Sequence, residues 1–200
     1  MEKDILLCGV GGQGTVLASK LLAAAAMEAG LVVHSAETIG MAQRGGSVTS
    51  HVRIGEDQYS PLIPRRGADI MLSFEPGEAV RNLDYLKKDG IVIVNLRPVK
   101  PVTESLQDTG YDGKEMIAYL KDKVKNVVSI DSEEIAKKLG SSKGFNVAIL
   151  GVLAGTKRLG IDCNVMIKAI ENSVKKEFVE LNKKAFNIGK EIGEGYYENQ

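Results

Sequence analysis

Residues 5–14 read ILLCGVGGQG, four apolar residues followed by a glycine turn with the spacing G-x-G-x-x-G. A short continuous apolar run that ends in glycine is typical of a strand buried on both faces of a parallel sheet. Residues 15–29 are rich in Ala and Leu and contain neither Pro nor Gly, which predicts a helix. Residues 31–34 then predict a second strand, so the chain opens with a strand–turn–helix–strand unit.

Strand and helix patterns alternate along the rest of the chain. Together they predict an α/β fold with a Rossmann-like, mostly parallel sheet, helices on both faces and a helical C-terminal appendage. We predict one domain over residues 1–200, with an α/β core at 1–160 and C-terminal helices at 161–200. The further predicted strands are residues 47–54 (half exposed), 68–74, 91–94 and 127–130. Three further helices are predicted from Pro76 to about Lys88, over 115–125 and over 145–159. Two more begin at caps: one at Asp131 or Ser132, ending at Gly140, and one at Asn164.

Two features predict how the C-terminal helices pack. In the helix at 145–159, Gly151 and Gly155 leave a stripe without side chains, where another element can approach closely. The last helix carries apolar residues spaced by three and four, and we expect this stripe to pack on the body of the same chain. Its residues are Phe178, Leu181, Ala185, Ile188 and Ile192.

Composition limits the classes of partner. Lys+Arg and Asp+Glu both total 26 in 200 residues, a balance that argues against nucleic acid. Cys8 and Cys163 are the only cysteines, so the chain cannot supply the four ligands of an iron–sulfur cluster. His34 and His51 have no neighbours at metal-ligand spacing, and no metal site is predicted. No signal peptide or membrane-spanning segment is apparent, which predicts a cytoplasmic protein without a membrane partner.

The glycine turn is the strongest indication of a binding site. Glycines permit positive φ and close approach of a ligand to the backbone, and the N-terminus of the following helix favours an anion such as phosphate. Gln13 adds an amide side chain to this turn. Glu37 follows the second strand, where a dinucleotide site carries an acidic residue for the ribose.

A second glycine-rich segment, GMAQRGGS at residues 40–47, is not the usual continuation of an NAD site. Arg44 could bind a carboxylate or phosphate through two hydrogen bonds, although a surface arginine in a loop can also have no function. No catalytic residue is predicted. No serine lies in a G-x-S-x-G motif, so hydrolase chemistry has no support. The candidate anion- or cofactor-binding residues are Gly9, Gly11, Gly12, Gln13, Gly14, Glu37, Gln43, Arg44, Gly45 and Gly46.

Taken together, the two glycine segments resemble the gamma-type domain of the thiamine-dependent 2-oxoacid:ferredoxin oxidoreductases. Within that family the chain is most similar to the small (beta) subunit of the indolepyruvate type. The resemblance continues through residues 47–54, 60–64 and 68–69 and returns at 130–131 and 146–151. It therefore covers most of the chain.

This resemblance implies a subunit of an enzyme that oxidatively decarboxylates a 2-oxoacid to an acyl-CoA and CO2 and passes electrons to ferredoxin. It also implies a large catalytic (alpha) subunit that carries thiamine diphosphate, Mg²⁺ and [4Fe–4S] clusters. The chain is compatible with that division, because it has no cluster cysteines and no Gly-Asp-Gly motif followed by Asn-Asn to hold Mg²⁺ and diphosphate. We expect no activity from the chain alone. Coenzyme A is implied as a co-substrate, and the sequence leaves open whether the glycine turn binds coenzyme A, another phosphate or nothing.

Two other functions stay open at this point. The glycine fingerprint and Glu37 would also suit an independent NAD(P)-dependent dehydrogenase. Alternatively, the chain could be a scaffold whose glycine turn binds nothing. The sequence does not decide which 2-oxoacid is used, the oligomeric state of the isolated chain or the role of Arg44.

Overall fold

The computed structural model describes residues 1–37, 45–56, 58–100 and 110–198, which contain one six-stranded sheet. The strand order across the sheet is β2-β3-β1-β4-β5-β6. The strands are β1 (Lys3–Val10), β2 (Val33–Glu37), β3 (Ser47–Ile54), β4 (Ala68–Ser73), β5 (Leu86–Asn95) and β6 (Asn126–Ile130).

The sheet is mostly parallel, as predicted. β1, β4, β5 and β6 pair in parallel, whereas β3 is antiparallel to both of its neighbours, β1 and β2. β2 therefore runs in the direction of β1 but is separated from it by β3. The predicted half exposure of β3 is wrong: most of its residues are buried, because the strand lies inside the sheet rather than at its edge.

Helices cover both faces of the sheet, which confirms the predicted layers. One face carries α1, α4, α5, α6 and α7, which share one apolar core with alternate residues of the strands. The other face carries α2 and α3 over a smaller core. The helices are α1 (Thr15–Glu28), α2 (Pro76–Arg81), α3 (Lys114–Lys123), α4 (Ser132–Leu139), α5 (Phe145–Gly155), α6 (Cys163–Ser173) and α7 (Val179–Glu198).

Several predicted element boundaries are wrong. α5 ends at Gly155 rather than at residue 159, and β5 begins at Leu86 rather than at residue 91. The helix that starts at Pro76 ends at Arg81 rather than near Lys88, and a short 3-10 turn leads into β5. The pairing of β4 with β5 skips residues 87–90, so this polar stretch forms an irregular insertion within the strand. The cap of α6 is Asp162, whose side chain accepts a hydrogen bond from the backbone N–H of Asn164 at 2.8 Å. The predicted cap, Asn164, is instead a residue of the first helical turn.

α5 and α7 cross at glycines on both helices. A Cβ atom on Gly151 would overlap the carbonyl of Phe186, and one on Gly155 would overlap the carbonyl of Lys190. Gly189 meets the carbonyl of Ala148 in the same way. The predicted close approach at α5 is thus confirmed, and α7 is the element that approaches. The most buried side of α7 is displaced from the predicted stripe and comprises Asn182, Ala185, Phe186, Gly189 and Gly193.

The buried imidazole of His51 holds the segment between β3 and β4 against the sheet. Its Nδ1 atom accepts a hydrogen bond from the backbone N–H of Ile63 at 3.2 Å, and its ring meets the Tyr85 ring edge-on. Burial lowers the pKa of His51 from its usual value, and the positive charge of Arg53 lowers it further. The native state therefore requires a neutral imidazole.

Within the described residues, no helix combines the length and the hydropathy needed to cross a bilayer.

Exchanging Gly189 for Ala should lower the free energy of unfolding by about 1–3 kcal/mol, because the new methyl group overlaps a backbone carbonyl that cannot move away cheaply. Gly195→Ala is the control in the same helix. In the described part of the chain, no atom beyond the helix's own backbone and the chain neighbours lies within 4 Å of the new Cβ position, so helix propensity should raise stability by up to about 1 kcal/mol. Urea denaturation measures the free energy of unfolding of both variants. The same change in both variants would contradict the close crossing of α5 and α7.

Stability should also depend on pH through His51. Because its pKa is lowered on folding, the unfolded chain takes up the proton first as pH falls below about 6.5. The free energy of unfolding should then fall between about pH 7 and pH 5, more steeply for the wild type than for His51→Gln, whose side-chain oxygen can still accept the Ile63 N–H. His34→Gln controls for loss of a histidine. Parallel curves of unfolding free energy against pH for wild type and His51→Gln would show that His51 does not cause the loss of stability at low pH.

Candidate anion-binding site at the carboxyl end of the sheet

The glycine turn lies where the connections of the sheet diverge. From β1 the chain crosses one face through α1 toward β2, whereas from β4 it crosses the other face through α2 toward β5. In open α/β sheets such a switch point forms a crevice beyond the carboxyl ends of the strands, and ligands bind there. The turn at 9–14 and the segment at 74–77 meet in this crevice.

The turn has the backbone geometry that its glycines permit. Gly12 has a φ of 105° at the third position of a turn closed by a 3.2 Å hydrogen bond from the Gln13 N–H to the Val10 carbonyl. Gly14 precedes α1 with a φ of 85°, and the side chain of Asn146 lies 3.3 Å from the position of a Cβ there. Both conformations favour glycine. Gly11, by contrast, has no positive φ.

The inner side of the turn is closed by the side chain of Gln13. Its Oε1 atom accepts a hydrogen bond from the Val10 N–H at 2.7 Å, and its Nε2 atom donates to the carbonyl of Phe74 at 2.9 Å. Asn95 donates to the same carbonyl at 3.1 Å. A Cβ on Gly9 would lie 2.8 Å from Phe74 Cβ and 2.9 Å from Gln13 Oε1. Gly9 is therefore required for packing between the turn and β4.

The second glycine segment lies beside the first. The Gly11 N–H donates to the Gly46 carbonyl at 2.8 Å, and the Gly45 N–H donates to the Gly11 carbonyl at 3.2 Å. These bonds extend the antiparallel pairing of β1 and β3 into the turn. The structure thus brings together the two glycine segments that the sequence analysis identified. Gln43 and Arg44 lie outside the described residues.

The outer side of the turn offers backbone amides to a ligand. Within the described parts of the chain, no acceptor bonds the N–H groups of Gly12 and Gly14, and those of the first turn of α1 have no intrahelical acceptor. Gly12 is exposed, and among the described residues nothing beyond its immediate chain neighbours lies within 4 Å of its Cβ position. The buried hydroxyl of Thr15 at the start of α1 also has no partner there. Free amides and the helix dipole favour a small anion.

Glu37 does not have the surroundings of a ribose-binding acid. Its carboxylate accepts a hydrogen bond from the Ser19 hydroxyl of α1 at 2.9 Å. Because β3 separates β2 from β1, two strand spacings of about 4.8 Å each lie between the two strands, whereas a dinucleotide fold sets its first two strands side by side. This geometry does not favour the dehydrogenase alternative.

A buried acidic cluster next to the turn was not predicted. Glu75 and Glu78, 3% and 5% exposed, begin α2. Glu75 accepts hydrogen bonds from the Tyr111 hydroxyl at 2.6 Å and the Glu78 N–H at 2.9 Å, and Glu78 accepts one from the Ser47 hydroxyl. The sequence signal was the Glu-Pro-x-Glu pattern after a strand, in which a capping carboxylate precedes a proline at the first helical position.

Burial keeps the thiol of Cys8 protonated, and the acidic cluster adds to this effect. Burial, with smaller contributions from Glu78 and Glu75, raises the pKa of Cys8 to about 12 against the opposing hydrogen bond to Ser73. The thiol is therefore protonated at neutral pH, and it is not a nucleophile. Burial and the Glu75 carboxylate likewise raise the pKa of Tyr111, whose hydroxyl serves as a hydrogen-bond donor.

Comparison with known proteins identifies relatives along nearly the whole chain. Residues 4–192 match the family described as pyruvate ferredoxin/flavodoxin oxidoreductase. The indolepyruvate oxidoreductase subunit IorB of Archaeoglobus fulgidus is 42% identical over 190 residues, 94% of each chain. The pyruvate/ketoisovalerate oxidoreductases common subunit gamma of Pyrococcus abyssi is 32% identical over 194 residues, 96% of this chain and 95% of that one.

Solved structures share the fold. The gamma subunit of a keto/oxoacid ferredoxin oxidoreductase from Geobacter sulfurreducens superposes with a TM-score of 0.69 at 23% identity, covering 96% of this chain and 99% of that one. The 2-oxoglutarate:ferredoxin oxidoreductase from Magnetococcus marinus, solved with 2-oxoglutarate, coenzyme A and succinyl-CoA bound, gives a TM-score of 0.72 at 22% identity. The match covers 97% of this chain and 31% of that longer one.

Removing the Gln13 side chain should loosen the turn. Gln13→Ala leaves the Val10 N–H without its acceptor, and we expect a loss of about 1–3 kcal/mol in the free energy of unfolding. Gln13→Glu keeps that acceptor, but its carboxylate faces the Phe74 carbonyl. Its deficit relative to wild type should narrow as pH falls, since the protonated acid can donate to that carbonyl. Chemical denaturation at two pH values measures this; wild-type stability in Gln13→Ala would contradict the role of the side chain.

Proposed function

The chain belongs to the pyruvate ferredoxin/flavodoxin oxidoreductase family, and we propose that it is the non-catalytic small subunit of a thiamine-dependent, ferredoxin-linked 2-oxoacid oxidoreductase of the indolepyruvate type. Such a complex converts a 2-oxoacid and coenzyme A to an acyl-CoA and CO2 and transfers the electrons to ferredoxin. The names of the relatives support membership of a multi-subunit oxidoreductase. The indolepyruvate specificity rests on the sequence similarity to subunit IorB.

The chemistry of this chain's own residues supports a division of labour with a large subunit. A [4Fe–4S] cluster needs four cysteine ligands, and the chain has two, one of them a buried protonated thiol. Thiamine diphosphate, Mg²⁺ and the clusters are accordingly assigned to the partner. Bound there, thiamine diphosphate would supply the stabilisation of the carbanion left by decarboxylation. The small subunit would be inactive alone.

The observation that carries the proposal is the open row of amides at Gly12, Gly14 and the start of α1. A diphosphate is the kind of group that such a row recognises. Coenzyme A has one, and it is among the molecules bound in the solved structure of the Magnetococcus marinus enzyme. We assign its diphosphate to the outer side of the turn, with its thiol directed toward the partner subunit.

The turn is preorganised for this role. Gln13 holds it to β4, and the paired amides of Gly11 and Gly45 hold it to the second glycine segment. The amides consequently need little reordering when an anion arrives, and the entropy lost on binding is small. The partner subunit would close the site over a ligand that lies on this open surface.

Activity should require both subunits. The chain co-expressed with the large subunit should co-purify with it and restore 2-oxoacid-dependent, CoA-dependent reduction of ferredoxin, while either chain alone gives none. The assay follows reduction of ferredoxin or of an artificial electron acceptor. Full activity from the large subunit alone would contradict the proposal.

The position of the diphosphate can be tested with two glycines that both have positive φ, 105° at Gly12 and 75° at Gly30. Gly12→Ala adds a methyl group where the ligand would lie, whereas Gly30→Ala adds one at the far end of α1. Both have positive φ and open space, so each should cost about 1–3 kcal/mol of stability. Only Gly12→Ala should raise the KM for coenzyme A, by about tenfold, in the reconstituted complex. Equal KM values for coenzyme A in the two variants would indicate that the turn binds no ligand, as in the scaffold alternative.

A further inference from the structure

A pocket of about 200 Å³ lies at the amino end of the sheet and has no role in the function described so far. It opens between the first residues of β1 and β4, residues 87–91 of β5 and the segment that follows α5. β1 begins at this pocket and ends at the glycine turn, and its eight residues, at about 3.3 Å each, separate the two by roughly 23 Å. We call it the amino-end pocket, and it is distinct from the site at the turn.

The charges that line the amino-end pocket do not cancel. Lys87 Nζ pairs with Asp69 Oδ1 at 2.7 Å, and Asp69 Oδ2 accepts a hydrogen bond from the Asp4 N–H at 2.9 Å, so this carboxylate is fully engaged. In the ranges that the structure describes, the other three cations of the pocket have no carboxylate within 4 Å. With Asp89 counted against those three, an excess of two positive charges remains. The charged residues of the lining are Lys3, Asp69, Lys87, Lys88, Asp89 and Arg158.

The irregular insertion of β5 holds one of these cations in a fixed place. Lys88 belongs to residues 87–90, which the pairing of β4 with β5 skips. The buried side-chain amide of Asn126 donates to the carbonyls of Asp89 and Gly90, each at 3.3 Å, and so ties the insertion to β6. Such insertions commonly redirect a side chain next to a functional site. Lys88 is therefore carried by an anchored backbone rather than by a loose loop.

Arg158 reaches the pocket through a strained residue. Lys157 has a φ of 58°, in the left-handed region where helices usually end on glycine or asparagine. Its N–H donates to the Ala154 carbonyl at 3.1 Å, and its ammonium lies 4.6 Å from the centroid of the Tyr197 ring. Backbone strain of this kind persists where the surroundings enforce it, and it is common at binding sites. The strained residue turns the chain out of α5, and the next residue, Arg158, lines the pocket.

We propose that the amino-end pocket binds a small anion with at least two negative charges, of the diphosphate class. The guanidinium of Arg158 can bind two phosphoryl oxygens at once, and the ammonium groups of Lys3 and Lys88 supply the remaining positive charge. This site goes beyond the proposed function and does not depend on it, because it shares no residue with the glycine turn.

Hydrogen exchange followed by mass spectrometry on the full chain tests the site, because it separates this pocket from the turn. Sodium pyrophosphate is the probe, at an ionic strength held constant with sodium chloride to fix charge screening. Exchange should slow in the peptide that covers residues 86–92, and the pyrophosphate concentration at half-maximal protection should rise at least tenfold in Lys88→Gln/Arg158→Gln. Lys88→Arg/Arg158→Lys keeps both charges and should stay within about threefold of the wild type.

The matched control is Lys137→Gln/Lys138→Gln, which removes the same charge from two exposed residues of α4 outside the pocket. Its concentration at half-maximal protection should change less than twofold. Thermal unfolding confirms that each variant is folded. Adenosine diphosphate, in a second arm, carries the diphosphate on a nucleoside. Protection equal to that by pyrophosphate supports a nucleotide as the source of the diphosphate, and weaker protection supports the free anion.

Two results would overturn the inference. The first is protection of residues 86–92 that is the same in the wild type and in Lys88→Gln/Arg158→Gln. The second is slower exchange at residues 11–17 without any change at 86–92, which would leave the anion site at the glycine turn intact and remove the one at the amino end of the sheet.

Discussion

The side-chain amide of Gln13 bonds in two directions, to the Val10 N–H and to the Phe74 carbonyl, and so joins the end of β1 to the end of β4. This bridge occupies the crevice at the switch point of the sheet, a place that ligands use in many α/β proteins. It also satisfies the inner polar groups of the turn within the protein. The remaining amides, at Gly12, Gly14 and the start of α1, have no acceptor among the described residues. The candidate site, its rigidity and its orientation all depend on this arrangement.

The antiparallel strand β3 makes the surroundings of the glycine turn different from those in a dinucleotide-binding fold. By lying between β1 and β2 it moves Glu37 away from the turn and brings Gly45 and Gly46 against Gly11. The Ser47 hydroxyl at the start of β3 then bonds the buried carboxylate of Glu78. The glycine turn therefore lies next to a second glycine segment and a buried acidic cluster. These surroundings are the reason why we propose a phosphate-bearing co-substrate shared with a partner rather than a nicotinamide dinucleotide.

Local chemistry made much of this architecture predictable. The apolar strands, the helix after the glycine turn and the close-packing glycines at 151 and 155 each leave a signal within a few residues. The position of β3 inside the sheet was not predictable, because strand order depends on contacts between residues far apart in sequence. The same reason explains the missed cluster: Ser47 meets Glu78, and Tyr111 meets Glu75, only through tertiary packing. The capping error at Asn164 arose because Asp162 can accept the same kind of bond two residues earlier.

The central claim is that a phosphate group binds the outward amides of the turn when the subunits are assembled. Hydrogen exchange followed by mass spectrometry on the reconstituted complex tests it directly, with and without coenzyme A. We predict slower exchange in the peptide that covers residues 11–17 and unchanged exchange in α3 (Lys114–Lys123), which lies on the opposite face of the sheet. Unchanged exchange at residues 11–17 under saturating coenzyme A would contradict the account.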